Sequence, residues 1–153
     1  MPLNTRRFLQ TLFDAAVAAV LPAKCLPRHF PEAPADGKII VIACGKAAAG
    51  MARAAEKHYG QQEKPLLTGV AITRYGFGEP LKSIGLIEAG HPVPDKASEY
   101  AAAEAMKLAR SAKPDDLILF LVSGGASALC AAPAGDVTLS EKQALTKALL
   151  NSG

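Results

Sequence analysis

Tryptophan is absent from this 153-residue chain, aromatic residues make up 5% of it, and no apolar run is long enough to span a bilayer. A composition that is 50% hydrophobic and 20% charged yet poor in aromatics suits an alanine-rich α/β domain better than a disordered chain or an aromatic-rich binding surface. The three cysteines, Cys25, Cys44 and Cys130, stand far apart, with no C-x-x-C spacing and no His pair beside them. That disfavours both a disulfide framework and a zinc site and fits a reducing cytoplasm. The formal charge of +3 is small and its Lys and Arg residues are scattered, so there is no basic stripe and nucleic acid is not an expected partner.

Three glycine signatures are also missing. Gly76-Phe77-Gly78 is followed by Leu81 where a third glycine would complete G-x-G-x-x-G. Cys44-Gly45-Lys46 falls short of a Walker A loop, because Ile40 stands at the first glycine position and Ala47 where the hydroxyl is needed. Gly125-Ala126-Ser127 begins a hydrolase elbow, but Leu129 replaces its last glycine. Arg6 and Arg7 precede an apolar stretch, as in an export signal, but Asp14 interrupts it and Lys24 stands immediately before Cys25, where a small residue is expected.

What is present reads as one domain, since a compact chain of this length buries roughly 68–70% of its unfolded surface. Phe8, Leu9, Leu12, Phe13, Ala16, Val17 and Val20 recur at helical spacing and predict a helix ending near Pro22. Prolines 22, 27, 31 and 34 then mark an extended connection. The unbroken run from Lys38 to Ala43 predicts a strand buried on both faces, followed by a helix from about Lys46 to Tyr59. Further strands are expected at Thr68 to Thr73, Ser83 to Ala89 and Leu117 to Val122, the last also reading as buried. A helix from about Lys96 to Ala112 starts beyond Asp95, a good N-cap, and a last helix from about Glu141 opens with Ser140 and Gln143 as a capping box. Strands alternating with helices imply a mostly parallel sheet with helices on both faces, a Rossmann-like α/β architecture without the dinucleotide fingerprint.

In such sheets ligands collect beyond the carboxyl ends of the strands. Four predicted strands end there in unusual loops: Cys44-Gly45-Lys46, Arg74-Tyr75-Gly76-Phe77-Gly78, Gly90-His91-Pro92-Val93-Pro94-Asp95 and Ser123-Gly124-Gly125. Any one of them alone reads most simply as a turn. Four at one edge reverse that preference. At Ser123-Gly124-Gly125 a backbone cradle is expected, with helix-start amides facing phosphate or carboxylate oxygens where no Cβ intervenes, and the hydroxyls of Ser123 and Ser127 as extra donors. Lys46 at a helix start opposes the helix dipole by about 0.3–1 kcal/mol, a penalty that a bound anion would reverse. His91 is held between Gly90 and Pro92, where an imidazole can donate to a phosphate or a substrate hydroxyl, whereas His29 and His58 read as solvated. No metal ligand is assigned, although Mg²⁺ commonly takes one or two carboxylates plus phosphate oxygens, so Asp95 or a residue outside the chain could contribute.

The stretches VIACGKAAAGMARA (41–54), EAGHPVPDKAS (88–98) and LVSGGASALCAAP (121–133), in this order, resemble the type II glycerate 2-kinases, whose members have often been labelled hydroxypyruvate reductases of tartrate metabolism. The resemblance implies ATP-dependent phosphorylation of D-glycerate to 2-phosphoglycerate with Mg²⁺, in a cleft between an N-terminal α/β domain and a C-terminal one. It also implies that Lys46 is the active-site lysine, that Ser123, Gly124, Gly125 and Ser127 form the glycine-rich phosphate-side loop, and that His91 to Asp95 form a proline-stiffened loop; Gly45, next to Lys46, is a further candidate substrate- or nucleotide-binding residue. Members continue well beyond the length of this chain, so residues 1–153 are expected to be the N-terminal domain without its partner domain and inactive alone. The alternatives are a nicotinamide-dependent reductase and a non-catalytic ligand-binding module.

Overall fold

The computed structural model describes residues 4–60 and 66–153. Four strands, β1 (Ile39–Cys44), β2 (Leu67–Arg74), β3 (Ile84–Ala89) and β4 (Leu117–Val122), form one sheet in the order β3-β2-β1-β4. Every neighbouring pair is parallel, as the strand-helix alternation predicts. The central position of β1 explains its composition. Each of its six residues is buried, because alternate side chains enter two different cores.

On one face Ile39, Val41 and Ala43 pack with Met51, Ala52 and Ala55 of α3 (Ala48–Tyr59). On the other face Ile40, Ile42 and Cys44 pack with Ala101 and Ala105 of α4 (Lys96–Arg110) and Leu129 of α5 (Ala126–Leu129). Small alanines on both helices let the helix backbones lie close to the sheet. The fully buried Ile39 and Ile40 each contribute about 1.5–3 kcal/mol of transfer free energy.

Three expectations need correction. β4 is an edge strand that, among the described residues, pairs only with β1, so its apolar run is buried only in part. Leu121 is buried, while Phe120 and Val122 are 61% and 57% exposed. The last helix, α6 (Leu139–Asn151), starts earlier than expected and is capped by Thr138 with Glu141 rather than by Ser140 with Gln143. Gln143 instead donates its side-chain amide to the Pro94 carbonyl at 2.8 Å. Third, α3 begins at Ala48, which leaves Lys46 in the turn ahead of the helix.

The N-terminal helix α1 (Thr5–Val20) forms at its predicted place, but none of its residues is buried, and Phe8, Leu12 and Phe13 face outward. It reaches the body through α2 (Pro22–Cys25), which packs on α3, so the proline-marked connection expected to be extended instead opens with this helical turn and a 3₁₀ turn at Pro27–His29. His29 and His58 are exposed, as expected. No helix among the described residues is long and apolar enough to cross a membrane.

Candidate functional site

A parallel sheet puts the carboxyl ends of all its strands at one edge, and the four loops singled out in the sequence follow those ends. The loops after β1 and β4 are bound to each other backbone to backbone. Ser123 N–H donates to the Cys44 carbonyl at 2.9 Å, Lys46 N–H donates to the Gly124 carbonyl at 2.9 Å, and Ala47 N–H donates to the Ser123 hydroxyl at 3.0 Å. The hydroxyl of Ser123 therefore satisfies the start of α3, whose own N-cap, Ala47, has no side chain able to do so.

Two glycines make this junction possible. Gly45 has φ +121°, and a Cβ there would run into the side chain and backbone of Ser123. Gly125 has φ +92°, and a Cβ on it would lie 2.8 Å from His91 Cδ2 and Nε2 and 3.4 Å from Lys46 Cγ. A Cβ on Gly124 would meet only Lys46 Cε, at 3.6 Å. Lys46, His91 and the glycine pair thus surround one small patch, with Lys46 and Gly124 exposed and His91 partly so.

The donors differ from those expected. Ser123 N–H is spent on Cys44, so it is not part of the cradle. Among the described residues the amides of Gly124, Gly125, Ala126 and Ser127 donate to no partner, which leaves four N–H groups free for an anion. Because α5 is a single turn, its dipole adds little, and the individual amides carry the positive potential. Ser127 is exposed on α5, and no hydrogen bond joins it to the other site residues.

Asp95 organises the His91 loop. One of its oxygens accepts from Gly90 N–H, Ser98 N–H and Ser98 Oγ, and the other accepts from Tyr75 Oη at 2.8 Å. Burial pushes this carboxyl upward, but those donors outweigh it and hold Asp95 below the usual carboxylate range. The same contact pushes the Tyr75 phenol up. The cap function of Asp95 was legible in its position before the helix; its bond to Tyr75, which ties the loop after β2 to the loop after β3, had no local signal. Arg74, at the end of β2, lies over the Phe77 ring with its guanidinium carbon 3.4 Å from the centroid.

A pocket of about 340 Å³ lies at the other end of the strands, lined by Gly37, Lys38, Lys113 and Asp116. Asp116 is fully committed there, accepting from Lys38 N–H and Lys113 N–H, so it braces the strand starts rather than presenting a site.

The sequence pattern of the domain of unknown function DUF4147 matches residues 8–153. The chain belongs to the DUF4147 family. A D-glycerate 2-kinase of Thermotoga maritima is 36% identical to this DUF4147 chain over 153 residues, covering 99% of the chain and 36% of the relative. A protein of Agrobacterium vitis, provisionally named a hydroxypyruvate reductase, is 40% identical over 150 residues, covering 98% of the chain and 33% of the relative. The crystal structure of a glycerate kinase from Thermotoga maritima superposes with a TM-score of 0.80 at 34% identity, covering 99% of this chain and 36% of that one. The DUF4147 chain spans about a third of the length of these relatives.

Proposed function

We propose that this chain is the N-terminal α/β domain of an ATP-dependent D-glycerate 2-kinase and carries its phosphate-holding rim. The observation that carries the reading is the meeting of Lys46, His91 and the Gly124-Gly125 backbone around one patch with four free amides. Phosphoryl transfer needs little covalent help from the protein and depends on positioning and on positive charge around the transferred group. The amides of Gly124 to Ser127 hold phosphate oxygens, the Lys46 ammonium neutralises charge on the transferred phosphoryl, and His91 orients the substrate hydroxyl. The names of the relatives supply the substrate and the position phosphorylated.

The described residues bring together no group of three metal-ligating side chains, and both Asp95 oxygens are engaged. A Mg²⁺ ion in this reading is carried by the nucleotide's own phosphates, with any further carboxylate supplied from outside residues 1–153. One lysine with one loop does not surround a transferring phosphoryl group, so the chain alone is expected to bind without turning over. Its partners in this reading are the nucleotide, D-glycerate and the C-terminal domain, and its compartment is the cytoplasm.

Separate calorimetric titrations with ATP–Mg²⁺, D-glycerate and NADH test this. ATP–Mg²⁺ should bind, and Lys46→Met should weaken binding about 10- to 100-fold, the cost of one charge-assisted contact of about 1.5–3 kcal/mol. Binding of NADH without ATP, or equal ATP affinity in Lys46→Met, overturns the reading.

A further inference from the structure

Cys44 and Cys130 take no part in the cradle, yet they meet directly behind it. Cys44 is the last residue of β1 and 1% exposed; Cys130 follows α5 and is half-buried. Both converge on the carbonyl of Ala126, which accepts from Cys130 N–H at 2.8 Å and from the Cys44 thiol at 3.6 Å. Cys130 packs against the same apolar cluster that holds Cys44, so the two side chains share one buried site. Cys130 also lines an apolar groove of about 400 Å³ together with Ile42, Met106, Ile118 and Phe120.

The two thiols are unequal. The hydrogen bond to Cys130, with burial and the repulsion of a neighbouring charge added, pushes Cys44 far up. The hydrogen bond from Cys44 pulls Cys130 down despite its own burial. Cys130, the more accessible of the two, is therefore placed to meet an oxidant first, with the buried Cys44 behind it as the waiting partner.

We propose that Cys44 and Cys130 form a hydroperoxide-responsive dithiol, which closes to a disulfide joining the end of β1 to the end of α5. In the first step the Cys130 thiolate attacks one oxygen of the hydroperoxide. An S–O bond forms, the O–O bond breaks, and the departing oxide takes a proton to leave as water or an alcohol, with Cys130 now a sulfenic acid. That step removes the negative charge beside Cys44 and with it the repulsion that disfavours a Cys44 thiolate. In the second step Cys44 sulfur attacks the Cys130 sulfur. The S–S bond forms, the S–O bond breaks, and hydroxide leaves as water with the Cys44 proton. Across both steps the thiols lose two electrons and the peroxide gains them. The new bond lies between the segments that lead into Lys46 and out of Gly125, and it requires the Cys44 thiol to release the Ala126 carbonyl. The disulfide itself does not depend on the kinase reading.

The test uses the chain with Cys25→Ser, which removes the third thiol on α2. Hydrogen peroxide should remove two hydrogens by intact mass. A non-reduced digest should then show the Cys44 and Cys130 peptides cross-linked, and dithiothreitol should restore both. Adding Cys44→Ser should stop the reaction at a Cys130 sulfenic acid trapped by dimedone, and adding Cys130→Ser should leave Cys44 unreacted. Circular dichroism of the reduced variants verifies folding, with Cys44→Ala as the replacement if Cys44→Ser unfolds. Survival of both thiols, oxidation of Cys130 without cross-linking, or an undiminished rate of Cys44 oxidation in Cys130→Ser overturns the proposal.

Discussion

Gly125→Ala is the sharpest probe of the cradle geometry. At φ +92° and ψ −1° an L-residue lies in the left-handed region, which costs about 1–2 kcal/mol. Its Cβ would also approach His91 Cδ2 and Nε2 to 2.8 Å, closer than real Cβ contacts allow, so the ring must move. Where the ring cannot turn away, overpacking of this kind costs about 1–3 kcal/mol. The two contributions together give about 2–5 kcal/mol, a large part of the roughly 5–15 kcal/mol that typically holds a domain folded. Urea unfolding reads the loss: with a slope of about 2 kcal/mol/M, the midpoint should fall by about 1–2.5 M. Gly124→Ala is the control, because its Cβ meets only Lys46 Cε at ordinary distance, and its cost should stay within about 0.5 kcal/mol. A double-mutant cycle with His91→Ala separates the causes: the steric part should vanish in the absence of the ring, leaving a coupling of about 1 kcal/mol or more. Equal midpoints for Gly124→Ala and Gly125→Ala, or zero coupling to His91, would refute the described contact and with it the shape of the cradle.

Ser123→Ala leaves the Ala47 amide without its acceptor and should cost about 1 kcal/mol, a fall of about 2–4 °C in Tm by differential scanning calorimetry; no change would mean water replaces the hydroxyl. Because Asp95 titrates below its unfolded value, its contribution to stability is complete above the ordinary carboxylate range and is lost as pH falls through the folded-state pKa. Asp95→Asn should therefore flatten the acid limb of the stability profile. Tyr75→Phe removes one of the donors that hold the carboxyl down, so the Asp95 titration followed by carboxyl ¹³C NMR should move upward, and an unmoved midpoint would refute the 2.8 Å bond.

The sequence and the structure agree most closely where local chemistry is decisive. Six consecutive apolar residues at Ile39–Cys44 admit few places other than the centre of a parallel sheet, and the loops after the strands reach one rim because parallel strands end on the same side. Agreement fails where a distant partner decides. Leu117–Val122 is as apolar as β1, and only the absence of a second neighbouring strand among the described residues makes β4 an edge. Two overlapping capping boxes precede α6, Thr138 with Glu141 and Ser140 with Gln143, and the bond from Gln143 to Pro94 takes the second out of contention. The loss of Ser123 N–H to Cys44, the bond between Tyr75 and Asp95 and the meeting of Cys44 with Cys130 are all long-range contacts, so no spacing announces them.

The three hydrogen bonds between the turn after β1 and the turn after β4 have a mechanical meaning. The lysine grows from a strand gripped on both flanks, whereas among the described residues the diglycine grows from one gripped on a single flank. The molecule therefore has one jaw held from two sides and one held from a single side, and these three links set the gap between them. Any strand laid along the open side of β4 would clamp the second jaw too, stiffening the grip on an anion without touching a single residue that holds it.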